Sequence, residues 1–144
     1  MGLIDLIFPR TCFGCKKSGY YICPSCIGKE KVVKPICPYC QKASIDGTTH
    51  FKCKRKLGID GLISIWPYEG VLRKALIALK YKYALEIAKE LSGYLAGEVE
   101  KRKFVFGTEP LLAPIPLHWY RGNFRGFNQS EEIGKLVAQK LGWQ

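Results

Sequence analysis

All seven cysteines of this 144-residue chain fall between Cys12 and Cys53, and His50 completes them as four pairs of one spacing. The pairs read CFGC (Cys12, Cys15), CPSC (Cys23, Cys26), CPYC (Cys37, Cys40) and HFKC (His50, Cys53). A two-residue gap lets a turn aim both donor atoms at one ion, and two such turns complete a tetrahedron. Zinc accepts that shape because its filled d shell imposes no other. Eight donors in four pairs therefore predict two zinc ions. Proximity assigns Cys12, Cys15, Cys23 and Cys26 to one, and Cys37, Cys40, His50 and Cys53 to the other; an interleaved pairing is also open to the sequence. With four protein ligands each, both sites are closed to substrate and water, so the zinc folds the segment rather than performing chemistry.

Two other readings of the cysteines fit less well. A disulfide framework requires an oxidising compartment and does not suit an odd number of cysteines. A thioredoxin-like redox pair would explain one C-x-x-C but not four. His50 is counted as a ligand because its distance from Cys53 repeats that of the three cysteine pairs.

The formal charge is +11 and is unevenly spread. Residues 1–58 carry eleven Lys or Arg against three acids, a balance of +8, and residues 59–144 carry twelve against nine, a balance of +3. A Cys₄ zinc site nets about −2 and a Cys₃His site about −1, which leaves the metal-loaded module near +5. Such a surface attracts nucleic acid without sequence preference, or else merely confers solubility. Its densest run, Lys54–Lys56, lies at the expected boundary between a zinc module (1–58) and a second domain (59–144). The longest apolar stretches, such as LLAPIPL, are too short to span a bilayer, and MGLIDLIFPR has neither a basic leader nor a myristoylation pattern. The expectation is a cytoplasmic protein.

The remainder reads as α/β. Leu3–Phe8 is an apolar lead-in over the first knuckle, and Gly19, Tyr20 and Tyr21 suit short ribbon strands. Leu62–Tyr68 (LISIWPY) has strand composition. Apolar positions recur at helical spacing from Val71 to Lys80 and from Ala84 to Arg102, with a corner at Tyr81–Tyr83. Glu86 and Glu90 fall on the polar side of the second helix. Leu111–Ile115 predicts another short strand, followed by a polar loop with Arg121, Arg125, Asn128 and Gln129. Asn128 then caps a helix that ends at Gly142. Strand, polar loop and helix start in succession can bind an anion, with backbone N–H groups and the two arginines converging on phosphate.

Three features together resemble the ComF family of competence-related, phosphoribosyltransferase-like proteins. They are the four N-terminal knuckles, the segment WPYEGVLRKALIALKYK, and APIPLHWYRGNFRGFNQSEEI with its RGFNQ. The resemblance covers about Phe8 to Gly142. It implies an N-terminal double zinc ribbon followed by a type I phosphoribosyltransferase fold, a parallel sheet flanked by helices. That fold recognises phosphoribosyl pyrophosphate or a related phosphorylated ribose with Mg²⁺. On this chain it implies that the loop beginning at Pro116 and Leu117 lies by the pyrophosphate. Arg121 and Arg125 become partners of the phosphate charge, and Asn128 and Gln129 polar contacts. It also implies a link to uptake of single-stranded DNA and to other competence proteins. The family's two acids followed by a Thr- and Gly-rich turn do not occur in this sequence. The expectation is thus a zinc module with the first half of a transferase domain, inactive by itself. The alternative is a zinc-ribbon nucleic-acid-binding or adaptor protein without catalysis.

Overall fold

The computed structural model describes residues 9–82, 85–101, 110–120 and 126–143. The lead-in Leu3–Phe8, Tyr83 of the corner, Arg102, Arg121 and Arg125 lie outside them. An N-terminal zinc-ribbon region is followed by a mostly helical one. Among the described residues the longer elements are α1 (Pro24–Ile27), α2 (Gly70–Lys82), α3 (Leu85–Lys101) and α4 (Gln129–Leu141), with single 3₁₀ turns at Ile45–Gly47 and Phe51–Cys53. No helix among them is long and apolar enough to cross a membrane.

The ribbon region is one design used twice. In the first turn Cys12 N–H donates to Lys17 O (2.9 Å) and Lys16 N–H to Cys12 O (3.0 Å), with Lys16 at φ 66°. In the second, Cys37 N–H donates to Lys42 O (2.9 Å) and Gln41 N–H to Cys37 O (2.9 Å), with Gln41 at φ 58°. Single antiparallel bridges close each turn, Thr11 with Ser18 and Ile36 with Ala43. Every residue of the second turn stands 25 positions after its counterpart, as Cys37 does after Cys12. The left-handed residue follows the second cysteine of each pair and reverses the chain within one turn. Such a conformation carries a local cost for a side chain other than glycine.

α2 buries Val71, Leu72, Ala75, Ala78 and Leu79, and α3 buries Ile87, Ala88, Leu91, Ser92 and Ala96. Both sets follow the helical period, so each helix offers one apolar stripe to the same core. α4 packs along α3, capped as its sequence predicts. Asn128 Oδ1 accepts the N–H of Ser130 (3.0 Å), and Gly142 ends the helix in the left-handed conformation at φ 69°. α2 begins with help from a distant residue: the Glu30 carboxylate accepts the Val71 N–H (3.4 Å), placing negative charge at the helix start.

The core does not stop at the helices. Cys12, Ile22, Cys23 and Ile27 are buried in one cluster with Leu72, Ala75, Leu79, Ile87 and Leu91. The first half of the ribbon is thereby joined to the helical layer.

The strand expectations are corrected. Leu62–Tyr68 and Leu111–Ile115 belong to no named strand, and the ribbon region has isolated bridges in place of ribbon strands. Near 61–65 the chain makes scattered backbone bonds: Leu62 N–H to Gly47 O (2.9 Å) and Val33 N–H to Ile65 O (2.9 Å). A ladder needs a neighbour that runs alongside for several residues. Here the pairing passes from one neighbour to another, and Pro67 has no N–H to give. The apolar side chains are used against helices instead. Ile63, Ile65 and Trp66 line a cleft of about 290 Å³ with Leu72, Leu76, Leu91, Leu95 and Ile133.

Candidate metal centres and nucleic-acid interface

Each centre joins one knuckle turn to one helical turn. Cys12 and Cys15 come from the first turn; Cys23 and Cys26 flank the start of α1, where Cys26 N–H donates to Cys23 O (3.0 Å). Cys37 and Cys40 come from the second turn; His50 and Cys53 bracket a 3₁₀ turn closed by Cys53 N–H to His50 O (2.8 Å). In each set the four ligand atoms lie within 4.8 Å of one another.

The donor chemistry fits zinc. A tetrahedral ion with Zn–S bonds of about 2.3 Å holds its sulfurs about 3.8 Å apart. Cys15 Sγ and Cys23 Sγ are 3.6 Å apart, and Cys40 Sγ lies 3.3 Å from His50 Nδ1. His50 Nε2 faces the Ala43 carbonyl at 3.1 Å. A carbonyl only accepts, so Nε2 carries the proton and Nδ1 presents a lone pair to the cysteines. This is the outer hydrogen bond that fixes a metal-binding imidazole. The two sets fit two structural zinc ions, one with four cysteines and one with three cysteines and a histidine.

The thiols show why a cation suits these clusters. Burial pushes the Cys12 thiol up, but backbone N–H groups of Cys23, Cys15 and Gly14 outweigh it and bring it down to about 6. Cys37 likewise reaches about 6: burial opposes and the backbone of Cys40, His50 and Tyr39 prevails. Next to these thiolates the last thiol of each set resists ionising. Cys26 is pushed up to about 12 by its hydrogen bond with Cys23 and by burial. Cys53 is pushed up to about 11 by burial and by Cys40 and Cys37. A divalent cation removes the conflict between neighbouring thiolates and displaces the remaining protons.

Residues that sequence reasoning did not single out hold the first centre in place. Glu90 was expected on a polar helix face. Its carboxylate instead accepts the N–H of Tyr21 (3.0 and 3.1 Å) and of Ile22 (2.7 Å), the two residues before Cys23. One turn along α3, Tyr94 Oη donates to Ile22 O (2.8 Å). Gly14 is required for a steric reason: a Cβ there would lie 2.6 Å from Cys26 Sγ. The glycine inside C-x-x-C was the only signal for any of these; the Glu90 contact spans 68 residues to Ile22 and leaves no local trace.

The second centre has different surroundings. Lys42, Lys52, Lys54, Arg55 and Lys56 are all exposed around it. Phe51, between two ligands, is 90% exposed, an unusual position for a phenylalanine. The Arg55 guanidinium sits 4.9 Å above the Tyr39 ring, whose hydroxyl accepts the Ile59 N–H (2.9 Å).

Of the anion-loop residues, Asn128 and Gln129 are described. Both ends of the Asn128 amide are engaged, Oδ1 with Ser130 N–H and Nδ2 with Ile115 O (3.0 Å). Gln129 Oε1 is buried without a hydrogen-bond partner among the described residues.

Closed tetrahedral centres built from paired knuckles define a structural zinc-binding module. In line with this, residues 3–55 match the double zinc ribbon domain family. No curated protein and no solved structure matches the chain.

Proposed function

We propose that this chain is a zinc-ribbon protein that binds single-stranded nucleic acid through its second knuckle. The observation that carries this reading is Phe51, 90% exposed between two zinc ligands and flanked by Lys52, Lys54, Arg55 and Lys56. A cationic surface draws in the phosphate backbone, and an exposed ring offers a stacking platform to any base. Anisotropy of a labelled oligo(dT) across a salt series tests it. Affinity falls with salt, and replacing Lys54, Arg55 and Lys56 together lowers the logarithmic slope by about 2, at about 0.7 per phosphate. Phe51→Ala weakens binding by about 1–3 kcal/mol at an unchanged slope. Binding that ignores salt overturns the reading.

A second reading places the same face within a ComF-like protein linked to uptake of single-stranded DNA in competence. Its support is the pair of segments WPYEGVLRKALIALKYK and APIPLHWYRGNFRGFNQSEEI. In it residues 1–58 are the double zinc ribbon and 59–144 the first half of a cytoplasmic phosphoribosyltransferase-like domain. Arg121, Arg125, Asn128 and Gln129 lie by the phosphate of a phosphorylated ribose. In this reading phosphoribosyl pyrophosphate and Mg²⁺ are ligands only of the completed domain, and these 144 residues are expected not to transfer phosphoribose by themselves. Turnover of phosphoribosyl pyrophosphate with a base acceptor by this chain alone would refute that.

A further inference from the structure

The two zinc centres have the same local design and unequal support. Around the first, Cys12 and Cys23 are buried in the cluster that includes Leu72, Ala75, Leu79 and Ile87, and Cys26 packs against it. Glu90 and Tyr94 add three hydrogen-bonded ties to Tyr21 and Ile22. With its ion removed, this half still has an apolar core and fixed partners for its backbone.

The second centre has no such core, and among the described residues no helix side chain ties down its backbone. Between residues 31 and 61 only Cys37, Gly47 and Thr49 are buried, and none of them belongs to that cluster. The large apolar residues of the segment face outward: Ile45 is 83% exposed and Leu57 100%. What orders the segment is local: its backbone bonds, the hydroxyls of Ser44, Thr48, Thr49 and Tyr39 on neighbouring backbone groups, the Arg55 guanidinium on the Tyr39 ring, and the ligand cluster itself. A segment this short that buries so little apolar surface cannot offset its chain entropy by packing, so binding of the ion supplies its folding energy.

We infer that the second zinc is a conditional ion whose occupancy orders residues 35–61 independently of the rest of the chain, and so gates the nucleic-acid face. The first ribbon and the helices stay folded whether or not it is bound. The gating half of the inference rests on the reading of the second knuckle given above; the ordering half does not. The ligands and the basic residues interleave in sequence, His50, Phe51, Lys52, Cys53, Lys54, which makes the coupling direct. When Cys53 and His50 let go of the ion, the residues that present the charge and the ring lose their fixed positions.

The test uses the whole chain loaded with two zinc ions and titrated with EDTA. Zinc still bound after the chelate is removed by gel filtration is read by atomic absorption, helix content by circular dichroism at 222 nm, and oligo(dT) binding by anisotropy. One equivalent of zinc leaves first with almost no change at 222 nm, and oligo(dT) affinity falls roughly tenfold or more in that step. The second equivalent leaves only at higher chelator, and the helical signal falls with it. His50→Ala, which removes a ligand from the second centre alone, copies the intermediate: one zinc per chain, full helicity and weakened binding. Loss of both ions in one step together with the helices overturns the inference, as does loss of helicity in H50A. Equal oligo(dT) affinity with one ion and with two overturns the gating. A two-zinc protein that binds no oligo(dT) sinks the nucleic-acid reading and the gating with it, while metal release and helicity still decide the ordering.

Discussion

Glu90→Ala removes the acceptor that holds the first zinc knuckle against α3, and its effect can be worked from the bonds lost. Two backbone donors, Tyr21 N–H and Ile22 N–H, meet the carboxylate at 3.0 Å and 2.7 Å. A hydrogen bond to a charged group contributes about 1.5–3 kcal/mol net, and the lower end applies here because the site is only partly buried. E90A should therefore lose about 3 kcal/mol. For a domain of this size that corresponds to a fall of roughly 10 °C in Tm. Glu90→Gln keeps a neutral acceptor and should lose about 1 kcal/mol. Glu86→Ala, one turn earlier, removes only exposed pairings with Lys89 and Arg10 and should stay within about 0.5 kcal/mol of the parent. The assay is thermal unfolding of the zinc-loaded proteins, with chelator competition as a second readout. Because Ile22 precedes the ligand Cys23, E90A should also weaken zinc at the first centre while sparing the second. If E90A and E86A melt alike and hold the first zinc equally well, the clamp does not operate and the reasoning is wrong.

Other changes have calculable directions. Leu79→Ala empties a fully buried position in α2 and should cost about 2–5 kcal/mol in a denaturant titration, whereas Leu57→Ala, fully exposed, should be neutral within about 0.5 kcal/mol. Gly47→Ala sets a Cβ against the Leu62 carbonyl at a residue with φ 77°; zinc content should fall from two ions towards one with the helical signal kept. Tyr94→Phe removes the bond to Ile22 O and should cost about 1 kcal/mol at pH 8. Burial, aided by the Glu90 charge, raises the Tyr94 phenol above its ordinary value, so the folded chain holds that proton more tightly than the unfolded one. Its contribution is complete below about pH 10 and disappears as pH climbs through the folded value; denaturant titrations at pH 8 and pH 11 should show that alkaline loss in the parent and not in Y94F.

What could be read from the sequence follows the range of the forces involved. Metal pairs, helix periods and the Asn128–Gly142 caps are local patterns, each determined by residues within a few positions of one another, and the structure places them where the spacing predicts. His50 is the instructive case: spacing alone made it a ligand, and the Ala43 carbonyl on its far nitrogen supplies the reason that its near nitrogen is free to bind. The strands were not legible, because composition reports only that Leu62–Tyr68 suits an extended, half-buried path. Whether such a path becomes a strand depends on a neighbour, and here helices take the apolar side chains. Glu90 was misplaced for a related reason. On a helical wheel a glutamate among polar residues faces water, but a carboxylate can also face a backbone that arrives with its N–H groups unpaired. The knuckle before Cys23 is such a backbone, since a turn built to aim sulfurs at an ion leaves amides without ladder partners. The same logic separates the two centres. Their ligand sets are similar in sequence, yet one borrows a carboxylate and a phenol from about 70 residues away and a helical core from about 50, and the other has its ion and bonds within its own neighbourhood. Equal motifs therefore do not mean equal stability, and the difference between these two lies in residues that contain no metal-binding signature at all.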